Sequence, residues 1–361
     1  MSPRADLGPL NILVLYADDW RHDTLGLVNP VVRTPHLNVL ANSSVRFSHN
    51  CVTTSICWSS RASFYTGQWM SRHGCRFIAN STVWTQTYPS ILRKHGYHVG
   101  HVGKWQNGKA PGPNDIDFGR YYYGRHLMSD GHGGQVHVTQ KNEEDALNFL
   151  QTRPKGKPFA LTVAFFAPHA EDNNPLQFLP MRKSYWYLKN FTIPEPRGAQ
   201  ASWQRMPPFF SKRNEARIRW HWRFDTHAKH QTMMKNYYRL VSEVDSASGR
   251  ILAQLRRENL IETTLVIFTT DNGYFHGEHG MAGKWYPHQE SIRVPLIIHD
   301  PRRSSQQGMV LDELTLSVDI APTILAAAHI AAHERMQGSD IARLYLVDEQ
   351  CEALKAQECG E

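Results

Sequence analysis

Two carboxylate-bearing strand ends and one cysteine carry the chemistry this sequence can offer. Asp18-Asp19 closes the apolar, β-branched run LNILVLY (10–16), and Asp271-Asn272 closes LVIFT (265–269). Carboxylates meeting from the ends of two strands form a hard-oxygen ligand set, which suits Ca2+ or Mg2+ rather than a soft metal. Each pair alone is ambiguous, because a strand-end Asp commonly caps a helix and Asp-Asn-Gly commonly makes a turn. Their joint occurrence at the ends of separate runs favours a metal site. The third element is the stretch from Ser55 to Gly67, SICWSSRASFYTG, where a loop runs through Cys57 into a predicted helix capped by Ser59 or Ser60. A helix N-terminus offers N–H groups and partial positive charge to an anion, and Arg61 adds a fixed cation. Without that context, an isolated cysteine reads as a buried structural thiol.

The elements that must position these residues show in the hydrophobic pattern. Tyr97–Val102 leads into Gly103-Lys104, Phe159–Phe166 into Ala167-Pro168-His169, and Val294–Ile298 into His299-Asp300. Near-continuous apolar runs of this length predict strands buried on both faces, and in open α/β sheets sites form at the carboxyl ends of such strands. Helices are predicted over 88–95, with Gly96 as C-cap, over 142–151, and over 237–259, where Leu240, Val244, Ile251 and Leu255 share a face. Another is predicted over 319–328, with Pro322 near its start. The alternation predicts an α/β sandwich around a central, mostly parallel sheet flanked by helices. Residues 170–235 read as a long insertion with weak periodicity, and 301–361 as a small appendage.

Composition bounds the partners. At 361 residues, 41% hydrophobic and 20% charged, the chain is neither disordered nor fibrous and holds one large domain, alone or with a small companion. No apolar run approaches the roughly 20 residues that span a bilayer, so no membrane partner is expected. Met1–Pro9 lacks the apolar core of a secretory signal, which leaves the sequence as it stands without an export mark. Five cysteines form no CxxC pair. Twelve Lys/Arg against five Asp/Glu between Glu171 and Lys235 give an excess of seven, equal to the net charge of the whole chain. That stretch, rich in tryptophan and tyrosine, suits an anionic ligand; a solvated surface with packed aromatics fits equally well. Charge alone speaks for nucleic acid, and no such partner is expected.

Cys57-Trp58-Ser59-Ser60-Arg61, followed by Ala-Ser-Phe-Tyr-Thr-Gly, resembles the formylglycine signature C-x-P-S-R-A-S-x-x-T-G of the type I sulfatases. Ser59 stands where that signature has proline. The resemblance runs from Asn11 through Ala17-Asp18-Asp19, Gly96-Tyr97, Gly103-Lys104-Trp105, Ala167-Pro168-His169 and Thr270-Asp271-Asn272-Gly273. It continues through Gly277-Glu278-His279-Gly280 and Lys284 to Glu290–Pro295. It implies an alkaline-phosphatase-like fold, with a catalytic domain over 8–340 and a short or truncated C-terminal subdomain at 341–361. It also implies that Asp18, Asp19, Asp271 and Asn272, with the modified Cys57, hold a divalent cation, Ca2+ or else Mg2+. Arg61 would hold the formylglycine hydrate, Lys104 and Lys284 the sulfate oxygens, and His169 the leaving-group oxygen. Gln106 would bind substrate where many relatives carry histidine; it can donate a hydrogen bond but cannot shuttle a proton. The hydrate's first hydroxyl would attack sulfur and its second would expel sulfate. The implied activity is hydrolysis of sulfate monoesters, those of a sulfated carbohydrate foremost, in a small molecule or an oligosaccharide, by a chain that a formylglycine-generating enzyme has matured. A phosphodiesterase or phosphonate monoester hydrolase of the same superfamily, and a non-catalytic sulfated-glycan binder, are the alternatives.

Overall fold

Asn11–Ala17 forms the central strand β1, and its composition explains why. Leu13, Leu15 and Ala17 pack into one apolar cluster and Ile12, Val14 and Tyr16 into another, so both faces of the strand are buried. A strand without a polar face must lie inside a two-sided sandwich. The computed structural model describes residues 8–77, 84–303 and 305–346. In chain order its main sheet contains β1, β2 (Val45–Cys51), β3 (His98–Gly103), β4 (Phe118–Tyr121), β5 (Phe159–Ala164), β6 (Thr264–Thr270), β7 (Arg293–His299) and β8 (Met309–Leu316). The spatial order is β8-β2-β7-β6-β1-β5-β3-β4. All neighbours are parallel except β7, which runs antiparallel to both β2 and β6. The mostly parallel α/β sandwich expected from the sequence is what the chain forms.

Helices α1 (Pro35–Ala41), α4 (Val138–Thr152) and α6 (His227–Arg257) cover one face of the sheet. Helices α2 (Cys57–Thr66), α3 (Tyr88–Lys94) and α7 (Ile320–Ala327) cover the other. Helix α5 (Glu215–Arg223) directly precedes α6 in the chain. Helix α6 buries Leu240, Val241, Val244, Ile251, Leu252 and Leu255, each burial stabilising by about 1.5–3 kcal/mol. It begins ten residues before the predicted Tyr237, at His227, where the Thr226 hydroxyl accepts the Lys229 N–H at 3.3 Å. The first turns are too polar to announce themselves by periodicity.

Helix α2 departs from expectation in a way that matters. It starts at Cys57 with Ile56 as its N-cap residue, and Ser59 and Ser60 lie inside it as buried side chains rather than as caps. Cys57 is therefore the first helical residue. Residues 170–226 leave the sheet after β5 and return at α6. They carry short helical turns and α5, not a structureless loop. At the far end Ile341–Leu344 forms one 3-10 turn against the core. The tail expected over 341–361 falls outside the described residues from 347 onward, as do Cys351, Cys359 and residues 1–7. No described helix is long and apolar enough to cross a membrane.

Candidate active site

The carboxyl ends of β1, β3, β5 and β6 deliver Asp18/Asp19, Lys104, His169 and Asp271/Asn272 to one place, and the first turn of α2 delivers Cys57 and Arg61. Two glycines make this convergence possible. Gly103 has a φ of +100°, and a Cβ there would sit 2.1 Å from the Ala164 carbonyl oxygen on β5. A Cβ on Gly273 would lie 2.2 Å from the Glu290 oxygen. Asp19 itself adopts a φ of 60°, uncommon for a non-glycine residue, and its carbonyl accepts the Tyr237 hydroxyl of α6 at 2.7 Å. The sheet and α6 together fix this turn.

The residues singled out by the sequence meet. The Cys57 sulfur lies 3.5 Å from Asp18 Oδ1, 3.5 Å from Asn272 Oδ1 and 2.7 Å from Lys284 Nζ. Arg61 donates through Nε to Asp271 Oδ2 at 2.9 Å and through Nη1 to the Lys104 carbonyl at 2.7 Å. Its Nη2 stands 3.4 Å from Asp18 Oδ2, and its guanidinium lies over the Tyr16 ring. Lys104 pairs with Asp18 and Lys284 with Asp19. Asn272 Nδ2 donates to Asp19 Oδ1 at 2.6 Å, and the Asp19 N–H donates to Asp271 Oδ1 at 3.3 Å. His169 Nε2 stands 3.6 Å from Asp19 Oδ2, while its Nδ1 meets the Ala170 carbonyl at 2.6 Å.

Three buried carboxylates thus face three buried cations. Isolated charges would be prohibitively costly at this depth, so the set persists only because its members balance. The same balance shifts protonation. Burial, reinforced by Asp18 and Asp271 against the two lysines, pushes the Cys57 thiol well up and keeps it protonated. Burial, then Lys284 and Lys104, hold His169 well below the usual histidine range. For Lys284 burial works the other way, but Asp19, the Cys57 sulfur and Asp18 outweigh it and raise the ammonium. A thiol so held is a poor nucleophile, since the thiolate is the reactive form.

Ligand atoms of Asp18, Asp19, Cys57 and His169 all lie within 4.8 Å of one another. With Asp271 and the Asn272 carbonyl oxygen alongside, the donor set is dominated by buried oxygens and fits a hard divalent cation. A cavity of about 360 Å3 opens on this cluster. Asp19, Cys57, Gln106, His169 and Lys284 line it together with Trp58, Asp172, Glu215, Arg219, Tyr274 and Trp285. A larger cleft, about 620 Å3 between Tyr123 and Gln135, holds a single charged side chain, Arg125, and none of these groups.

Asp172, Glu215, Arg219 and Trp285 were not picked out individually by the sequence reasoning, which saw the 170–235 segment only as basic and aromatic. One signal was there: Glu215, Arg219 and Arg223 follow at intervals of four, the spacing of one helical face. The structure shows where that positive charge goes. Arg217 donates to the Gly280 carbonyl and to Gln200, Arg219 pairs with Asp172 and Glu215, and Arg223 is buried against Asp172, Gln177 and Tyr274.

A family model described as Sulfatase matches residues 10–330. The N-acetylglucosamine-6-O-sulfatase of Bacteroides thetaiotaomicron is 25% identical over 92% of this chain and 70% of its own length. An arylsulfatase of Clostridium perfringens is 25% identical over 92% of this chain and 78% of its own. Among solved structures, the phosphonate monoester hydrolase of Agrobacterium radiobacter superposes with a TM-score of 0.77 at 20% identity, covering 94% of this chain and 78% of that one.

Proposed function

Because the chain belongs to the sulfatase family and is a sulfuric ester hydrolase, we propose that it removes sulfate monoesters from a sulfated sugar, with Cys57, as formylglycine, at the reaction centre. The observation that supports this reading is the meeting of Cys57, two acid-tipped strands and two lysines in one buried cluster, on which a cavity opens at Asp19, Cys57 and Lys284. The sugar preference leans on the likeness to the Bacteroides enzyme and on the aromatic lining of Trp58 and Trp285.

Asp18, Asp19, Asp271 and Asn272 would hold the cation, Ca2+ by preference for an all-oxygen site, and the modified Cys57 side chain would complete the set. Bound there, the cation supplies positive charge to an anionic ester oxygen and to the hydroxyl of the modified side chain. The hydrated aldehyde offers two hydroxyls on one carbon, which neither serine nor cysteine can.

The chain's own residues do the rest. Lys104 and Lys284 are now engaged by Asp18 and Asp19, the carboxylates that a divalent cation would neutralise. Relieved of those partners, the two ammoniums stand beside the reacting centre as fixed charges for sulfate oxygens, stabilising charge as it shifts to the leaving group. Arg61, which would hold the hydrate of the modified Cys57, is clamped between Asp271, Asp18 and the Lys104 carbonyl, contacts that also fix α2 against two strands. His169 keeps its Nδ1 proton on the Ala170 carbonyl, so Nε2 faces the site. Nε2 must gain a proton before it can hand one to the ester oxygen, and an anionic substrate between it and the lysines offsets the charge that opposes this. Gln106 lines the cavity with a buried, unpartnered Oε1, an acceptor for a sugar hydroxyl.

The test is turnover of an aryl sulfate and of the phosphate ester of the same phenol by one preparation. Faster sulfate hydrolysis, abolished in Cys57→Ala with the fold retained by circular dichroism, is expected. Faster phosphate turnover would favour the phosphonate or phosphodiester hydrolase alternative, and more than about a thousandth of the activity surviving in a folded Cys57→Ala would refute the role of Cys57.

A further inference from the structure

We propose that Glu215 and Asp172 read neutral hydroxyls on the sugar that carries the scissile sulfate and exclude a second anionic group beside it, making a monosulfated sugar unit the substrate class. This rests on the sulfatase reading and deepens it.

Helix α5 turns Glu215, Arg219 and Arg223 to one face, from which Glu215 and Arg219 line the cavity while Arg223 lies buried behind them. Arg219 Nε donates to Glu215 Oε1 at 2.7 Å, and its Nη1 pairs with Asp172. The guanidinium is further held 5.1 Å from the Trp285 ring centre and 5.7 Å from that of Trp222. Arg223 donates to Asp172 Oδ1 at 2.5 Å and to the Tyr274 hydroxyl at 2.6 Å. Both arginines are therefore engaged by the two carboxylates, and the four charges sum to zero. Against burial, the hydrogen bond from Arg219, followed by His169, Arg223 and the charge of Arg219, holds the Asp172 carboxyl below its usual range, so it stays ionised.

What this wall offers a ligand follows from which atoms remain open. The Glu215 side chain is 51% exposed and that of Asp172 31%, against 17% for Arg219 and 0% for Arg223. The acceptors face outward more than the donors do. An ionised carboxylate has about four lone-pair sites, so Glu215 can take hydroxyl donors beyond Arg219, and Asp172 beyond Arg219 and Arg223. A hydroxyl satisfies such an acceptor. A second sulfate or a carboxylate at the same place meets two negative groups whose counter-cations are already committed. The basic composition of this segment therefore does not translate into anion affinity at the cavity.

The experiment uses the matured enzyme and three kinds of probe. Turnover of p-nitrophenyl sulfate reports sulfate hydrolysis alone; its absence would fault the sulfatase reading and not the wall. Next, kcat/KM is measured for 6-sulfates of glucose, galactose and N-acetylglucosamine, each beside a counterpart carrying one further sulfate on the same ring. The proposal expects every disulfated sugar to be at least tenfold poorer, chiefly through KM, with the gap narrowing as salt screens the repulsion. Glu215→Gln keeps the acceptor and removes the charge, so it should raise the disulfated-to-monosulfated ratio severalfold, whereas a merely structural role would lower both rates together. Should that variant fail to fold, the wild-type panel and its salt dependence decide. Equal or better turnover of the disulfated sugars overturns the proposal, as does aryl sulfate turnover with no activity on any sugar of the panel.

Discussion

Arg61→Met removes one charge from the centre of the cluster while keeping a side-chain stem of similar length over the Tyr16 ring. Both partners of the ion pair are fully buried, with 0% of each side chain exposed. Three contacts go at once: Asp271 at 2.9 Å, Asp18 at 3.4 Å and the Lys104 carbonyl at 2.7 Å. Breaking a buried pair from one side costs about 3–5 kcal/mol, and the orphaned carbonyl adds about 1 kcal/mol or more. At roughly 2 °C per kcal/mol for a chain of this size, the metal-free variant should melt on the order of 10 °C lower. The second half of the prediction concerns calcium. In the variant, three carboxylates face only two lysines, so a divalent cation such as Ca2+ should gain affinity for the site. Thermal melts in chelator and in millimolar CaCl2 should therefore show a larger calcium-induced rise for Arg61→Met than for wild type. A drop below about 3 °C in chelator, or an equal calcium response, would show that these carboxylates are not balanced as described.

Other outcomes follow from the same coordinates. Burial pushes the Glu243 carboxyl up to about 7, against the opposing pull of Ser184, the Met181 N–H, Lys183 and Arg239. A carboxyl raised in the folded state contributes stability at low pH that is lost as pH climbs from its ordinary value of 4.5 to about 7. Glu243→Gln, which retains the acceptor, should match wild type at pH 4 and exceed it by on the order of 3 kcal/mol at pH 8, read by denaturant titration; an unchanged difference across that range would contradict the burial argument. Gly103→Ala forces a Cβ to 2.1 Å from the Ala164 oxygen at a φ of +100°, so a loss of about 3–5 kcal/mol with collapsed activity is expected, and wild-type stability would show that β3 and β5 can part there.

Much of this was legible in the sequence, for a physical reason. A strand buried on both faces must be apolar throughout, so β1, β3, β5, β6 and β7 were located to within about two residues, and with them the residues at their ends. Edge and semi-exposed strands give no such signal. β8, MVLDELTL, leaves most of its side chains exposed, β2 alternates polar and apolar positions, and β4 is only four residues long. None of the three was found. The start of α2 was misplaced because serine favours N-caps, yet Ser59 and Ser60 are drawn inside by packing between the sheet and α7. The segment after β5 was harder still. Its excess of arginine suggests an anion-binding surface, but where those arginines end up depends also on Asp172 and Gly280, which lie near them only in the fold. Composition counts charges and cannot say which have partners.

The proposed function turns on Cys57 acting as formylglycine within a cation-bearing cluster of carboxylates. Peptide mass spectrometry across Ser55–Arg61 of protein purified in active form, with an aldehyde-selective hydrazide as a second label, tests it most directly. An aldehyde at position 57, labelled in proportion to specific activity, is expected. Full turnover by protein whose residue 57 remains an unlabelled thiol would contradict it.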